Sequence, residues 1–269
     1  MSINNTSEEW WHGLLTGAFH DMPIRQFRQL FAAFPGQTRC KFCNSPFDGR
    51  WAPFFRSIGR GPSRLTNQFC QQCQHMATIH VGGTEVELTL LFADIRGSTR
   101  LGEKMKPAEF SQLIGRFFSV SGNVLLKTHA WVDRLVGDQV IGMYIPYFVG
   151  PHHELVAINA AKDLLHATGH GGPGGPWIEV GVGIHSGNAF IGTVGSKDSV
   201  TDITVLGDVP NVAARLSSAA GAGEILISED TFRKIENPLA LENRQLELKG
   251  KDRPMTAFVL STSANFKNN

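Results

Sequence analysis

Between Val86 and Asp94 the chain alternates, with Val86, Leu88, Leu90 and Phe92 on one face, and then stops on a carboxylate. A period of two over that length specifies a β-strand, and this strand delivers Asp94 at its tip. The pattern then changes. Pro107 opens a helix whose Phe110, Leu113, Ile114, Phe117, Val124 and Leu125 keep the helical period. Trp131–Val136 and Val140–Ile145 flank a Gly137-Asp138 turn and predict a hairpin.

A second helix is expected over 153–167, ending in a Gly/Pro loop at 169–176. Ile178, Val180, Val182 and Ile184 then alternate as another strand, with a short glycine-bounded strand near Phe190–Val194. Asp208 is the expected N-cap of a helix carrying Val212, Ala213 and Leu216. Further strands are expected near Glu224–Ile227, Leu246–Leu248 and Thr256–Leu260. Strand, helix, hairpin, helix, strand is a split βαβ order, so the predicted fold class is α+β and ferredoxin-like, over residues 85–262.

Upstream the texture differs. Residues 1–35 form a helical segment with Ile24, Phe27, Leu30, Phe31 and Phe34 at helical spacing. Residues 36–75 hold all four cysteines, as Cys40-x-x-Cys43 and Cys70-x-x-Cys73, with 26 residues between the pairs. Two such knuckles in a reducing compartment suit tetrahedral thiolate ligation, with structural zinc ahead of an iron–sulfur cluster. Residues 76–84 are expected to be a linker.

Charge is nearly balanced at 25 Lys+Arg against 24 Asp+Glu. That argues against a nucleic-acid scaffold, although the cysteine region carries Arg39, Lys41, Arg50, Arg56, Arg60 and Arg64, a local basic set. No apolar run reaches the roughly 18 residues needed to span a bilayer, and the first residues lack a secretory pattern. A cytoplasmic protein without membrane partners is the expectation.

Asp94 at a strand end and Asp138 at a hairpin tip come side by side in the predicted fold. Two such carboxylates can hold a pair of divalent ions on a triphosphate. Gly97-Ser98-Thr99, where a helix begins, offers amides and hydroxyls to phosphate. Each aspartate alone reads as a cap or a turn residue.

Five ordered segments resemble the class III nucleotidyl cyclase family. They are Phe92-Ala93-Asp94-Ile95-Arg96-Gly97-Ser98-Thr99, Arg134-Leu135-Val136-Gly137-Asp138, Val182-Gly183-Ile184-His185-Ser186-Gly187, the run Leu206 to Leu216, and Leu248-Lys249-Gly250-Lys251. The resemblance implies cyclisation of a nucleoside triphosphate to a 3′,5′-cyclic monophosphate, with release of pyrophosphate. It places two Mg²⁺ or Mn²⁺ ions on Asp94, Asp138 and the Ile95 carbonyl. Arg215 would stabilise charge on the α-phosphate, Asn211 would orient the ribose, and Lys249 (or Lys251) would hold terminal phosphates. His185 is read as structural. In this family metal and helix residues come from different domains, so a head-to-tail homodimer is implied.

The base-reading positions implied are Arg134 and Thr204. Where the family's adenylate enzymes carry lysine and guanylate enzymes glutamate, this chain has Arg134. A forked donor prefers carbonyl acceptors, which uracil and cytosine present. Trp131 would take up volume that a purine needs. Trp131-x-x-Arg134 also resembles the pyrimidine cyclases of bacterial Pycsar anti-phage systems, whose cyclic UMP or cyclic CMP activates a separate effector. The expected substrate is therefore UTP, then CTP. ATP, with Arg134 standing in for lysine and Trp131 in the core, is the alternative, and a catalytically silent nucleotide-binding domain is the reading of another class.

Overall fold

The computed structural model describes residues 7–19, 23–64, 68–194, 202–236, 241–247 and 254–262, with 133–136 described by their backbone alone. The N-terminal third holds α1 (Ser7–Thr16), α2 (Ile24–Ala32), α3 (Ala52–Ser57) and α4 (Gln71–Ile79). Then come β1 (Gly83–Ile95), α5 (Ser98–Lys104), α6 (Pro107–Lys127), the hairpin β2 (Trp131–Val136) and β3 (Gln139–Tyr144), α7 (Pro146–Val149) and α8 (His153–Ala167). The chain continues through β4 (Val180–Val194), β5 (Asp202–Leu206), α9 (Asp208–Ala219), β6 (Glu224–Ser228), α10 (Glu229–Phe232), β7 (Glu242–Leu246) and β8 (Met255–Ser261).

The sheet runs β2-β3-β1-β4-β6-β8-β7, with β5 paired to the far end of β4. β1 is antiparallel to both β3 and β4, and β4 lies parallel to β6. This is the predicted split βαβ order, with α6 and α8 as the crossover helices.

Alternation along β1 sorts the core into two faces. Leu91, Ala93 and Ile95 point toward α6 and α8, joining Phe117, Leu125, Ile158, Ala161 and Leu164. Val86, Leu88, Leu90 and Phe92 point the other way, into one buried cluster with Trp10, Trp11, Phe42, the four cysteines, Trp131 and, from α9, Val209 and Ala213. Each large side chain so buried contributes roughly 1.5–3 kcal/mol. The N-terminal helices therefore complete a sheet face that would otherwise expose a row of leucines to water.

Several expectations need correction. Residues 76–79 are the last turns of α4, so the expected 76–84 linker shrinks to the few residues before β1. The two strands expected at 178–184 and 190–194 are one continuous β4, because β1 pairs with it throughout, from Gly83↔Gly192 to Ile95↔Val180. Its glycines permit close approach rather than breaking the strand: a Cβ on Gly183 would strike the backbone of Ala213 and Ser217 in α9. Gly207, at φ 122°, is the N-cap of α9, and Asp208 is its first helical residue. The late strand is Glu242–Leu246, earlier than expected, and Leu248 lies outside the described residues.

Candidate active site

Asp94 is the penultimate residue of β1, and Asp138 sits in the two-residue turn of the neighbouring hairpin. Gly137, at φ 64°, supplies the left-handed conformation that this turn requires. The β1–β3 register sets Asp94 opposite Gln139, and Ile95 N donates to the Asp138 carbonyl at 3.2 Å. The two carboxylates are thereby held on adjacent corners of one sheet end.

Their electrostatics fit a cation site. Burial pushes the Asp94 carboxyl above its usual range, the Arg96 guanidinium pulls it down, and the Asp138 carboxylate pushes it up again. Arg96 Nη2 lies 2.5 Å from Asp94 Oδ2. Its Nη1 donates to the carbonyls of Ser218 at 2.9 Å and Ala220 at 3.3 Å, at the end of α9. Two half-buried, repelling carboxylates, one of them paired with a guanidinium, are a donor set that divalent ions would satisfy. Arg96 belongs to the recognised motif, yet sequence reasoning gave it no role. Its position two residues after Asp94 was the available signal.

Gly97 follows at φ 66° as the N-cap of α5, with Ser98 and Thr99 in the helix's first turn. On α9, Asn211 is exposed and donates from Nδ2 to the Gly207 carbonyl at 3.0 Å, while Arg215 is half-buried one turn later. Among the described residues no hydrogen bond or ion pair links Asn211 or Arg215 to Asp94 or Asp138. Thr204 is buried in β5, paired with Gly192. Arg134 lies in β2, its side chain outside the described set, and Lys249 and Lys251 lie outside the described residues altogether. His185 is structural, as expected: it is buried, with Nδ1 sharing a 2.7 Å hydrogen bond with Ser228 Oγ.

Trp131 corrects the argument from base volume. It is fully buried, edge-on to Phe42 at 5.1 Å between ring centres and beside Phe148 at 6.2 Å. It belongs to the core beneath the cysteine module, the alternative that its residue type allowed.

The four cysteines are buried, and their sulfurs all lie within 4.8 Å of one another. Cys43 Sγ and Cys70 Sγ are 3.8 Å apart. A tetrahedral ion with bonds of about 2.3 Å to sulfur sets edges of about 3.8 Å, so the cage fits zinc. The first knuckle is a tight turn, with Asn44 N donating to the Cys40 carbonyl and Asn44 at φ 63°. In the second, Cys70 caps α4, accepting from Cys73 N, and Cys70 N donates to Cys40 Sγ at 3.3 Å. Cys43, taking hydrogen bonds from its three neighbours, is held well below the usual thiol range, while burial pushes Cys40 well above it. A second convergence of ligand atoms, at Glu87, His153 and Glu154, is already engaged. Lys234 pairs with Glu87, and Thr89 Oγ1 shares a 2.7 Å hydrogen bond with His153 Nδ1.

Residues 83–262 match the family model described as the adenylate and guanylate cyclase catalytic domain. The chain belongs to that family. It is 30% identical over 196 residues to an adenylate cyclase of Anabaena cylindrica, covering 69% of this chain and 39% of the relative. An adenylate cyclase of Mycobacterium bovis is 26% identical over 179 residues, covering 65% and 39%. The chain thus spans about two fifths of the length of these relatives. Among solved structures, the adenylyl cyclase CyaB from P. aeruginosa aligns with a TM-score of 0.57 at 28% identity, over 67% of this chain and 97% of that one. The guanylyl cyclase Cya2 shares the fold, with a TM-score of 0.62 at 24% identity over 70% and 98%. No helix among the described residues is long and apolar enough to cross a membrane.

Proposed function

We propose that the protein is a nucleotidyl cyclase that converts a nucleoside triphosphate to its 3′,5′-cyclic monophosphate and pyrophosphate. The observation that carries this reading is the Asp94–Asp138 pair, two carboxylates held on adjacent backbone corners, the first of them desolvated by burial. Divalent ions there, Mg²⁺ or Mn²⁺, supply Lewis acidity for the attacking 3′-hydroxyl and charge neutralisation for the triphosphate. Asp94, Asp138 and the Ile95 carbonyl hold them. The Gly97-Ser98-Thr99 turn cradles phosphate, and Lys249 (or Lys251) binds its far end. Asn211 fixes the ribose, and Arg215 stabilises charge gathering on the α-phosphate.

The reading includes a homodimer, as the family resemblance implies, and it agrees with the lack of any hydrogen bond or ion pair, among the described residues, from Asn211 or Arg215 to the aspartates of their own chain. Metal residues of one protomer then face the helix residues of its partner. The cysteine cage holds a structural zinc ion.

For the base, Arg134 favours a pyrimidine, UTP before CTP, and the product would act on a separate effector in anti-phage defence. With Trp131 in the core, that preference rests on Arg134 alone. ATP is the second reading, favoured by the relatives named adenylate cyclase. Incubation with an equimolar mixture of the four triphosphates and Mn²⁺, with cyclic products resolved by mass, separates the two. Predominant cyclic UMP or cyclic CMP, moved toward cyclic AMP by Arg134→Lys, supports the pyrimidine reading. Predominant cyclic AMP from the wild type removes it.

A further inference from the structure

The chain's near-neutral charge conceals a segregation. Residues 24–79 hold eight Lys and Arg against one carboxylate, Asp48, while the remainder holds 17 against 23. Asp48 is engaged locally, accepting from Gln37 N at 2.7 Å, Thr38 N at 2.8 Å and Thr38 Oγ1 at 2.7 Å. Two of the arginines are structural: Arg28 and Arg39 donate to backbone carbonyls of the module itself. Lys41 is paired with Asp202 at 3.4 Å, and Arg25, Arg50, Arg56 and Arg64 are exposed, with Arg60 partly so.

That surface is also aromatic. Phe54 is 50% exposed, and Phe27 and Trp51 are each 36% exposed. They are linked through buried rings: Phe27 stacks on Phe31, Phe31 meets Phe55, and Phe55 meets Phe54, which abuts Trp51. Guanidinium groups lie over this sheet of rings, Arg50 at 5.8 Å from Trp51 and Arg60 at 5.4 Å from Phe27. Arg56, exposed on α3, adds a further positive charge beside Phe54 and Phe55.

We propose that this face binds single-stranded nucleic acid. Partly exposed rings interleaved with arginines offer both of the things such a strand needs: aromatic surface against which unpaired bases pack, and charges for its phosphates. A duplex hides its base faces and could use only the charges. A second copy set face to face would bring arginine against arginine. A lipid surface would be met by the exposed apolar side chains of the patch, Leu30 and Ile58 beside Phe27 and Phe54, and vesicle binding is therefore the comparison that decides between the two. The site is independent of the cyclase chemistry, and it reverses the exclusion drawn from overall charge.

The test is fluorescence anisotropy of the full chain with labelled oligo(dT) and oligo(U) strands of about 20 nucleotides, between about 50 and 300 mM salt. A duplex of the same length and phosphatidylserine vesicles serve as comparisons. The expected result is binding of the single strands, weakened by salt with a log–log slope of about −2 for three phosphate contacts. Phe54→Ala should weaken it at least about fivefold without changing the slope, and Arg60→Ala should make the slope shallower. Arg50→Glu, at an exposed position, guards against misfolding: with an unchanged circular dichroism melt it should still lose binding. Absence of single-strand binding at low salt overturns the proposal. So does binding unaffected by all three substitutions, preference for the duplex or the vesicles, or a self-associated species that buries Phe54 and excludes the oligonucleotide.

Discussion

Arg28 on α2 donates from Nη2 to the carbonyl of Ala130, 3.0 Å away and 102 positions later in the chain. Its Nη1 donates to the carbonyls of Lys41 and Phe42, inside the first cysteine knuckle. The guanidinium also lies 5.7 Å from the centre of Trp131 and 4.8 Å from that of Phe148. Ala130 immediately precedes β2, so one buried side chain ties the cysteine cage to the strand of Arg134 and the turn of Asp138. From the same knuckle, Lys41 pairs with Asp202 at 3.4 Å, on the strand that carries Thr204. Burial pulls Arg28 down to about 10, with the Cys43, Cys40 and Cys73 sulfurs opposing, so it stays charged at neutral pH.

Replacing Arg28 by Met should destabilise the protein by about 3 kcal/mol, because three buried carbonyls lose their charged donor at once. The hairpin loses its anchor too. Chemical denaturation measures the first effect. For the second, KM should rise more than kcat falls at a temperature where the variant is still folded. Unchanged stability would show that the carbonyls find other donors.

The cysteine cage should bind one zinc ion per chain, measurable by metal analysis of purified protein. Cys70→Ser should release it and lower the melting temperature by roughly 10 °C, since a structural zinc contributes several kcal/mol to folding. Protein that is fully stable without metal would contradict the assignment.

Asp94 is stable at a cost to the fold. Its folded-state pKa is raised, so the folded chain holds this proton more tightly than the unfolded chain does. Its contribution to stability is therefore greatest below the unfolded carboxylate pKa and declines as pH climbs through the raised value. Asp94→Asn should raise the neutral-pH melting temperature in the absence of Mg²⁺ and Mn²⁺, flatten that part of the pH profile, and leave less than about 1% of activity. A lower melting temperature would mean that the Arg96 pair outweighs burial and the Asp138 repulsion.

Complementation tests the proposed dimer. Arg215→Ala should lower kcat by about 10²–10³-fold, and Asp138→Ala should abolish turnover. Mixed together, the two inactive variants should regain up to about a quarter of wild-type activity, because half of the chains pair as heterodimers that each carry one intact site. No recovery, in a mixture shown to exchange subunits, would place the whole site within one chain.

The half of the molecule that matches the cyclase family was legible because its constraints are local. Alternation gave β1, the Gly137-Asp138 turn gave the hairpin, and the ordered motifs gave the family and, with it, Asp94, Asp138, Asn211 and Arg215 as the site proposed above. β4 was harder: glycines normally weaken a strand, and only the packing of α9 on Gly183 and of β1 on Gly192 explains why these belong in one. Trp131 was misplaced because a strand residue's face depends on what covers it, and its cover comes from Phe42, 89 positions earlier. Arg28 carried no signal at all. An arginine in an amphipathic helix reads as solvent-facing until the structure shows three carbonyls converging on it.

The role proposed for Asp94 and Asp138 is that of the metal site of a nucleotide-cyclising enzyme. Its most direct measurement is the product ratio from purified protein with Mn²⁺ and each triphosphate in turn, with cyclic nucleotide identified by mass and pyrophosphate counted separately. The expected result is one pyrophosphate for every cyclic nucleotide, and loss of both products in Asp94→Ala and Asp138→Ala proteins that remain folded. Folded wild-type protein that releases no cyclic nucleotide from any triphosphate, or an Asp138→Ala variant as active as the wild type, would contradict it.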